Sequence, residues 1–150
     1  MPVPERAPAR LFSVFGKSRS LDDMTFTGTD SCGNSPKNMF VARFEENLFN
    51  GDEQALAEVV AEDCILQIVG SGGVETSTGR DAVVDALLGV SDADPVAGHL
   101  EAAITHGKAA AAWGQWENSS DGDDVRQFSH TFWFRTNKAE EFAQIRVFHP

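Results

Sequence analysis

Two hydrophobic periods divide the chain. Up to Gly89 apolar residues fall mainly at helical spacing, and after Gly98 they alternate with polar ones. Phe40, Phe44 and Leu48 stand four residues apart, with Glu45, Glu46 and Asn47 between them. That pattern predicts an amphipathic helix with one aromatic stripe. Ser35 supplies an N-cap oxygen, Pro36 suits the first helical position, and Asn50-Gly51 supplies the end. Asp52 can cap a second helix with Leu56, Val59 and Val60 as its buried face, and Asp63 reads as that helix's end. Residues 64–69 are a branched, apolar run and predict a strand, broken by Gly70, Ser71, Gly72 and Gly73. Gly79-Arg80-Asp81 opens a third helix with Val83, Ala86 and Leu87 inward, closed by Gly89. A loop around Asp94-Pro95 follows.

The second half predicts strands over residues 99–105, 109–117, 125–135 and 142–148. His106-Gly107, Asp121-Gly122 and Asn137-Lys138 are the turns between them. Helices first and an antiparallel meander afterwards give an α+β domain. Its expected form is a cone: three N-terminal helices packed on a strongly curved, mainly antiparallel sheet that encloses a pocket.

Composition narrows the chemistry. The chain has 150 residues and a net charge of -11, so no basic patch is available for a nucleic-acid backbone. It carries 11 Phe and 3 Trp but no Tyr, which excludes any site built on a phenol. Cys32 and Cys64 lack C-x-x-C spacing and read as reduced thiols of a cytoplasmic protein. No apolar run reaches the length of a membrane span. The first twenty residues are basic, with Arg6, Arg10, Lys17 and Arg19 against Glu5, and contain three prolines. Residues 1–31 therefore read as a flexible extension rather than a targeting peptide, with Met24 an alternative start and residues 32–150 as the domain.

Several motifs fall in a telling order. They are Cys32-Gly33-Asn34-Ser35-Pro36, Asn50-Gly51-Asp52, Gly79-Arg80-Asp81-Ala82-Val83, the run Ile104-Thr105-His106-Gly107-Lys108-Ala109-Ala110, and Phe132-Trp133-Phe134 followed by Phe142, Ile145 and Phe148. Together they resemble the SnoaL-like branch of the nuclear transport factor 2 (NTF2-like) superfamily. The resemblance implies a cone fold that hosts isomerases, polyketide cyclases, epoxide hydrolases, dehydratases and non-catalytic binding domains. It also implies where ketosteroid isomerase parts would fall: the tyrosine at Phe44, the general base near Ile68 and the oxyanion-hole acid at His130. Phenylalanine cannot donate a hydrogen bond and isoleucine cannot move a proton, so two of the three parts are missing and that mechanism is not expected.

His130 is the most informative polar residue. It alternates with Phe128, Phe132 and Phe134 on one strand face, where an imidazole can act as acid or base near neutral pH. Its bland alternative is a structural histidine satisfied by one partner. The expected pocket is lined by Phe40, Phe44, Leu48, Gln67, Trp113, Phe128, His130 and Phe132. Trp116 lies three residues from Trp113, on the opposite face, and Trp133 points away from His130. These two outward indoles are assigned to a homodimer interface, as the resemblance implies. His99, His106 and His149 read as strand-edge, solvated and terminal. No metal site or cofactor is expected: the histidines lack ligand spacing, the glycine loop lacks a Gly-Lys-Ser/Thr ending, and residues 121–124 lack a calcium loop's closing Glu. The primary expectation is a domain binding a small, largely apolar molecule. An acid/base enzyme of polyketide-cyclase or dehydratase type using His130 is the alternative, and a dimeric protein-interaction module the third.

Overall fold

The computed structural model describes residues 25–32, 35–91, 95–118 and 124–148. Residues 1–24, Gly33, Asn34, Asp94, the Asp121-Gly122 turn and His149 lie outside the described residues. Ser35 starts α1 (Pro36–Asn50), its side-chain oxygen accepting from the Asn38 backbone N–H at 3.0 Å. That bond satisfies a donor that the first helical turn leaves over. Gly51 ends α1 in the left-handed region at φ 66° and returns its N–H to the carbonyls of Asn47 and Leu48. Asp52 caps α2 (Glu53–Val59) through Ala55 N–H at 3.1 Å.

The next element departs from the sequence pattern. Strand β2 (Val60–Gly70) starts at Val60, so this residue is buried in the sheet rather than on a helix. Asp63 stands within β2 and pairs with Arg135 instead of ending α2. The exposed pair Glu62 and Asp63 hides the strand from a hydropathy pattern, while pairing with the strand Phe142–Phe148 extends it. Strand β3 (Gly73–Thr78) returns antiparallel along β2. It is a mostly exposed strand with no apolar alternation, and so gives no signal. Helix α3 (Arg80–Ser91) follows and runs past Gly89. The β2–β3 hairpin therefore separates α2 from α3, and the helices do not all precede the sheet.

Strands β4 (Ala97–His106), β5 (Ala109–Glu117), β6 (Val125–Phe134) and β7 (Phe142–Phe148) form the meander. An additional strand, β1 (Thr25–Thr27), comes from the stretch assigned to the extension and is followed by a 3-10 turn over Thr29–Cys32. It runs parallel to β4, and Phe26 packs on Phe49 at 5.2 Å. The sheet order is β1-β4-β5-β6-β7-β2-β3, an open sheet. Four of its six pairings are antiparallel, and β1–β4 and β2–β7 are parallel. No helix among the described residues is long and apolar enough to cross a membrane.

Register shifts between Val60 and Ile65, Leu100 and Ala102, and Trp133 and Phe134 interrupt three ladders. Such irregularities bend strands and sharpen twist, which curves the sheet around α1. The β4 shift needs Gly114 opposite it, where a Cβ would sit 2.0 Å from the His99 carbonyl oxygen. The concave side holds the core. Val41, Phe44, Leu48 and Phe49 of α1 meet Phe132, Phe134, Phe142 and Ile145 of the sheet.

Cys64 belongs to this buried side of β2. Burial, and then the nearby negative charge of Glu141, push its thiol from 9.0 up to about 12. In the unfolded chain the thiol ionises near 9.0, whereas the folded chain holds it protonated up to about 12. Its contribution to stability is thus fully present below pH 9.0 and lost as the pH rises towards about 12. Urea midpoints measured across that window should fall more steeply for the wild type than for Cys64→Ala. Thiol reagents should leave Cys64 unmodified in the native protein at pH 8, as read by mass spectrometry.

Candidate functional site

The alternation on β6 puts Phe128, His130, Phe132 and Phe134 on the concave face, and all four are buried. On α1, Val41, Phe44, Glu45 and Leu48 follow the i, i+3, i+4, i+7 spacing of one helical face. That face is pressed against the sheet, so the one charged residue on it must find a partner inside. It finds His130. The Nδ1 atom of His130 lies 2.9 Å from Glu45 Oε1 and 2.8 Å from Oε2. This is the geometry in which an Nδ1–H donates to a carboxylate, and both side chains are out of reach of solvent, at 0% and 1% exposure.

Aromatic rings surround the pair. Phe128 stacks on the imidazole at 4.8 Å and 26°, and Phe132 meets it edge-on at 6.4 Å. Phe132 in turn stacks on Phe142 at 4.6 Å and takes the edge of Phe44 at 5.3 Å. Trp116 packs on Phe128 at 6.0 Å and on Phe49 at 5.8 Å. With water excluded, the carboxylate–imidazole interaction is screened only weakly. A carboxylate at Nδ1 also fixes the imidazole's orientation. Among the described residues no cluster of His, Cys, Asp and Glu could hold a metal ion.

The remaining sequence-selected residues divide between the two faces. Phe40, Phe44 and Leu48 are concave, with Phe40 against Phe134 at 5.8 Å and Phe142 at 5.4 Å. Gln67 is not: it lies on the convex face and accepts a hydrogen bond from Arg146 Nε at 3.0 Å. Trp113 and Trp116 exchange their expected faces. Ala112 opposite His130 and Gly114 opposite Phe128 fix the even-numbered residues of β5 as concave. Trp116 is consequently buried at 2% exposure, and Trp113 faces outward at 38%. Trp133 is outward at 49%. His99 is exposed and hydrogen-bonded to Thr27 Oγ1 at 2.8 Å, and His106 is exposed. Glu45 is the site residue that the sequence pattern passed over, because the aromatic stripe at four-residue spacing leaves it among polar neighbours. The Val41, Phe44, Glu45, Leu48 spacing was the available signal.

Three solved structures align over most of the chain. An NTF2-like protein of unknown function from Mesorhizobium loti superposes with a TM-score of 0.61 at 16% identity, covering 85% of this chain and 99% of that one. A candidate ketosteroid isomerase from Kribbella flavida gives 0.58 at 14% identity, covering 76% and 77%. A candidate polyketide cyclase from Sinorhizobium meliloti gives 0.55 at 16% identity, covering 72% and 92%. The chain has an NTF2-like fold.

No protein-family model matches the sequence, and no curated protein matches it significantly. An NTF2-like fold at these identities says nothing about activity, so the chemistry has to be argued from Glu45 and His130 themselves. Removing one member of a buried pair strands the other without its partner, at a cost of about 2–4 kcal/mol. Glu45→Leu and His130→Leu should each destabilise the protein by about that amount in urea denaturation. Their combination should cost less than the sum, since the orphaned group is then gone. Additive losses would show that the two side chains do not interact.

Proposed function

We propose that this NTF2-like chain binds a small, largely apolar molecule between α1 and the concave sheet face, and that His130, held by Glu45, exchanges a proton with it. The buried Glu45–His130 pair carries this reading. Taking a carboxylate and an imidazole out of water costs free energy, and apolar residues of similar volume would fill the same space without that cost. An aromatic core does not need the pair for packing. A histidine oriented by a carboxylate is, in contrast, suited to general acid/base work, because the carboxylate stabilises the imidazolium that forms when the ring takes a proton. The reaction class that follows is proton abstraction from, or delivery to, an apolar substrate, of the polyketide-cyclase or dehydratase type. Phe44 and Ile68 stand where an isomerase would carry its donor and its base, and they supply neither.

The pair is fully enclosed, so a ligand reaches it as the surrounding rings part. Trp116, packed on Phe128, should register that movement. Apolar ketones, lactones and acids screened by thermal shift should include compounds that raise the melting temperature and alter indole emission. His130→Gln should keep binding but lose turnover of any such compound that reacts. A screen with no stabilising compound would overturn the proposal.

A homodimer through the convex face is also proposed, now without Trp116. Trp133 and Ile65, at 49% and 36% exposure, stand on either side of Gln144 and line a groove of about 500 Å³. Exposed aromatic and branched residues on a sheet face are favourable only when covered. Sedimentation should find a dimer for the wild type and a monomer for Trp133→Glu, with the melting transition of the separated monomer still cooperative. A monomeric wild type would remove the dimer.

A further inference from the structure

The convex face carries a second aromatic feature, distinct from both the Glu45–His130 pair and the Trp133 groove. Glu101, Trp113, Gln127, Ser129 and Phe148 line a groove of about 400 Å³. Its geometry follows from the strand ladders. Ser129 on β6 stands opposite Trp113 on β5 and opposite Phe148 on β7. Neighbouring strands lie ~4.8 Å apart, so the two ring-bearing positions are ~10 Å apart with the small Ser129 as a floor between them. Two aromatic walls at that spacing leave a slot open to solvent, and Trp113 is 38% exposed along it.

Glu101 reaches this slot because of the β4 irregularity. Ala102 pairs with Trp113 and Leu100 pairs with Gly114, so Glu101 is the extra residue between two successive partners. Such an extra residue re-aims its side chain, and Gly114 permits the close strand approach that accompanies it. Glu101 is exposed, and among the described residues it forms no ion pair or hydrogen bond. Asp63, another carboxylate on this face, is by contrast paired with Arg135. Arg146, a cation on the convex face, is hydrogen-bonded to Gln67 on the β2 side. The slot therefore combines two aromatic faces, an amide and an uncompensated negative charge in a protein of net charge -11.

The geometry points to a binding site for a small organic cation, a trimethylammonium-type head seated between Trp113 and Phe148 and neutralised by Glu101. Aromatic faces attract such a cation through their quadrupole, and its methyl groups bury against the rings at little desolvation cost. An anion is disfavoured by Glu101, and a neutral apolar group leaves the carboxylate unused. The site is independent of the proposed proton chemistry. Its lining shares no residue with that of the Trp133 groove.

The test is calorimetric titration of the full chain with choline and with 3,3-dimethylbutan-1-ol, its uncharged carbon analogue. Choline should bind saturably and the alcohol about fivefold more weakly or worse. Trp113→Leu and Glu101→Gln should each weaken choline binding by about fivefold, and added salt should weaken it further. Trp133→Leu and His130→Gln should leave it unchanged. Equal affinity for choline and the alcohol would overturn the assignment, as would the absence of any saturable heat with choline. Loss of binding in Trp133→Leu with Trp113→Leu unaffected would move the cation elsewhere and overturn it equally.

Discussion

The contact between Glu45 and His130 constrains everything around it. A carboxylate and an imidazole held inside an aromatic core must face each other or incur several kcal/mol of unmet desolvation. Helix α1 therefore cannot rotate about its axis, because any other face would carry Glu45 away from the imidazole. Strand β6 cannot slip by one residue, because its concave and convex sets would exchange and put Ser129 and Thr131 where Phe128, His130 and Phe132 belong. The pairing of β5 with β6 then fixes which tryptophan is buried. One polar contact thus sets helix rotation, strand register and the allocation of aromatic residues, where apolar packing alone would tolerate several solutions.

The two faces of the sheet have diverged in chemistry as a result. The concave face is a continuous aromatic layer with a single enclosed acid–base pair. Exposed aromatic and branched residues mark the convex face: Trp113, Trp133, Ile65, Ile104 and Val74. Inside, the carboxylate is satisfied by the imidazole. Outside, Glu101 is turned to solvent beside an indole by the β4 irregularity that also bends the sheet. At β4, curvature and surface chemistry share an origin, an extra residue tolerated because position 114 is glycine.

Similar folds with different assigned chemistries make the residue-level argument necessary. The aligned structures include one named for isomerase and one for cyclase activity, at identities of 14% and 16%. What distinguishes this chain is which side chains face inward. Here Glu45 of α1 gives the buried His130 its partner.

The sequence by itself determined the elements whose period is strong and whose ends are chemically marked. Ser35, Pro36 and Gly51 bracket α1 because capping is a local interaction between residues a few positions apart. The alternation along β6 made His130 an inward candidate for the same reason, since side-chain direction along a strand is a local property. It could not reveal β3, whose polar residues carry no periodic signal, or the early start of β2, which depends on a β7 some 80 residues away. Nor could it choose between Trp113 and Trp116, or between Gln67 and Leu66. Alternation tells two faces apart without saying which is the core, and that assignment comes only from the strand or helix laid alongside. The burial of Glu45 was decided in the same way: a carboxylate reads as a solvent residue until the fold places an imidazole within 2.8 Å of it.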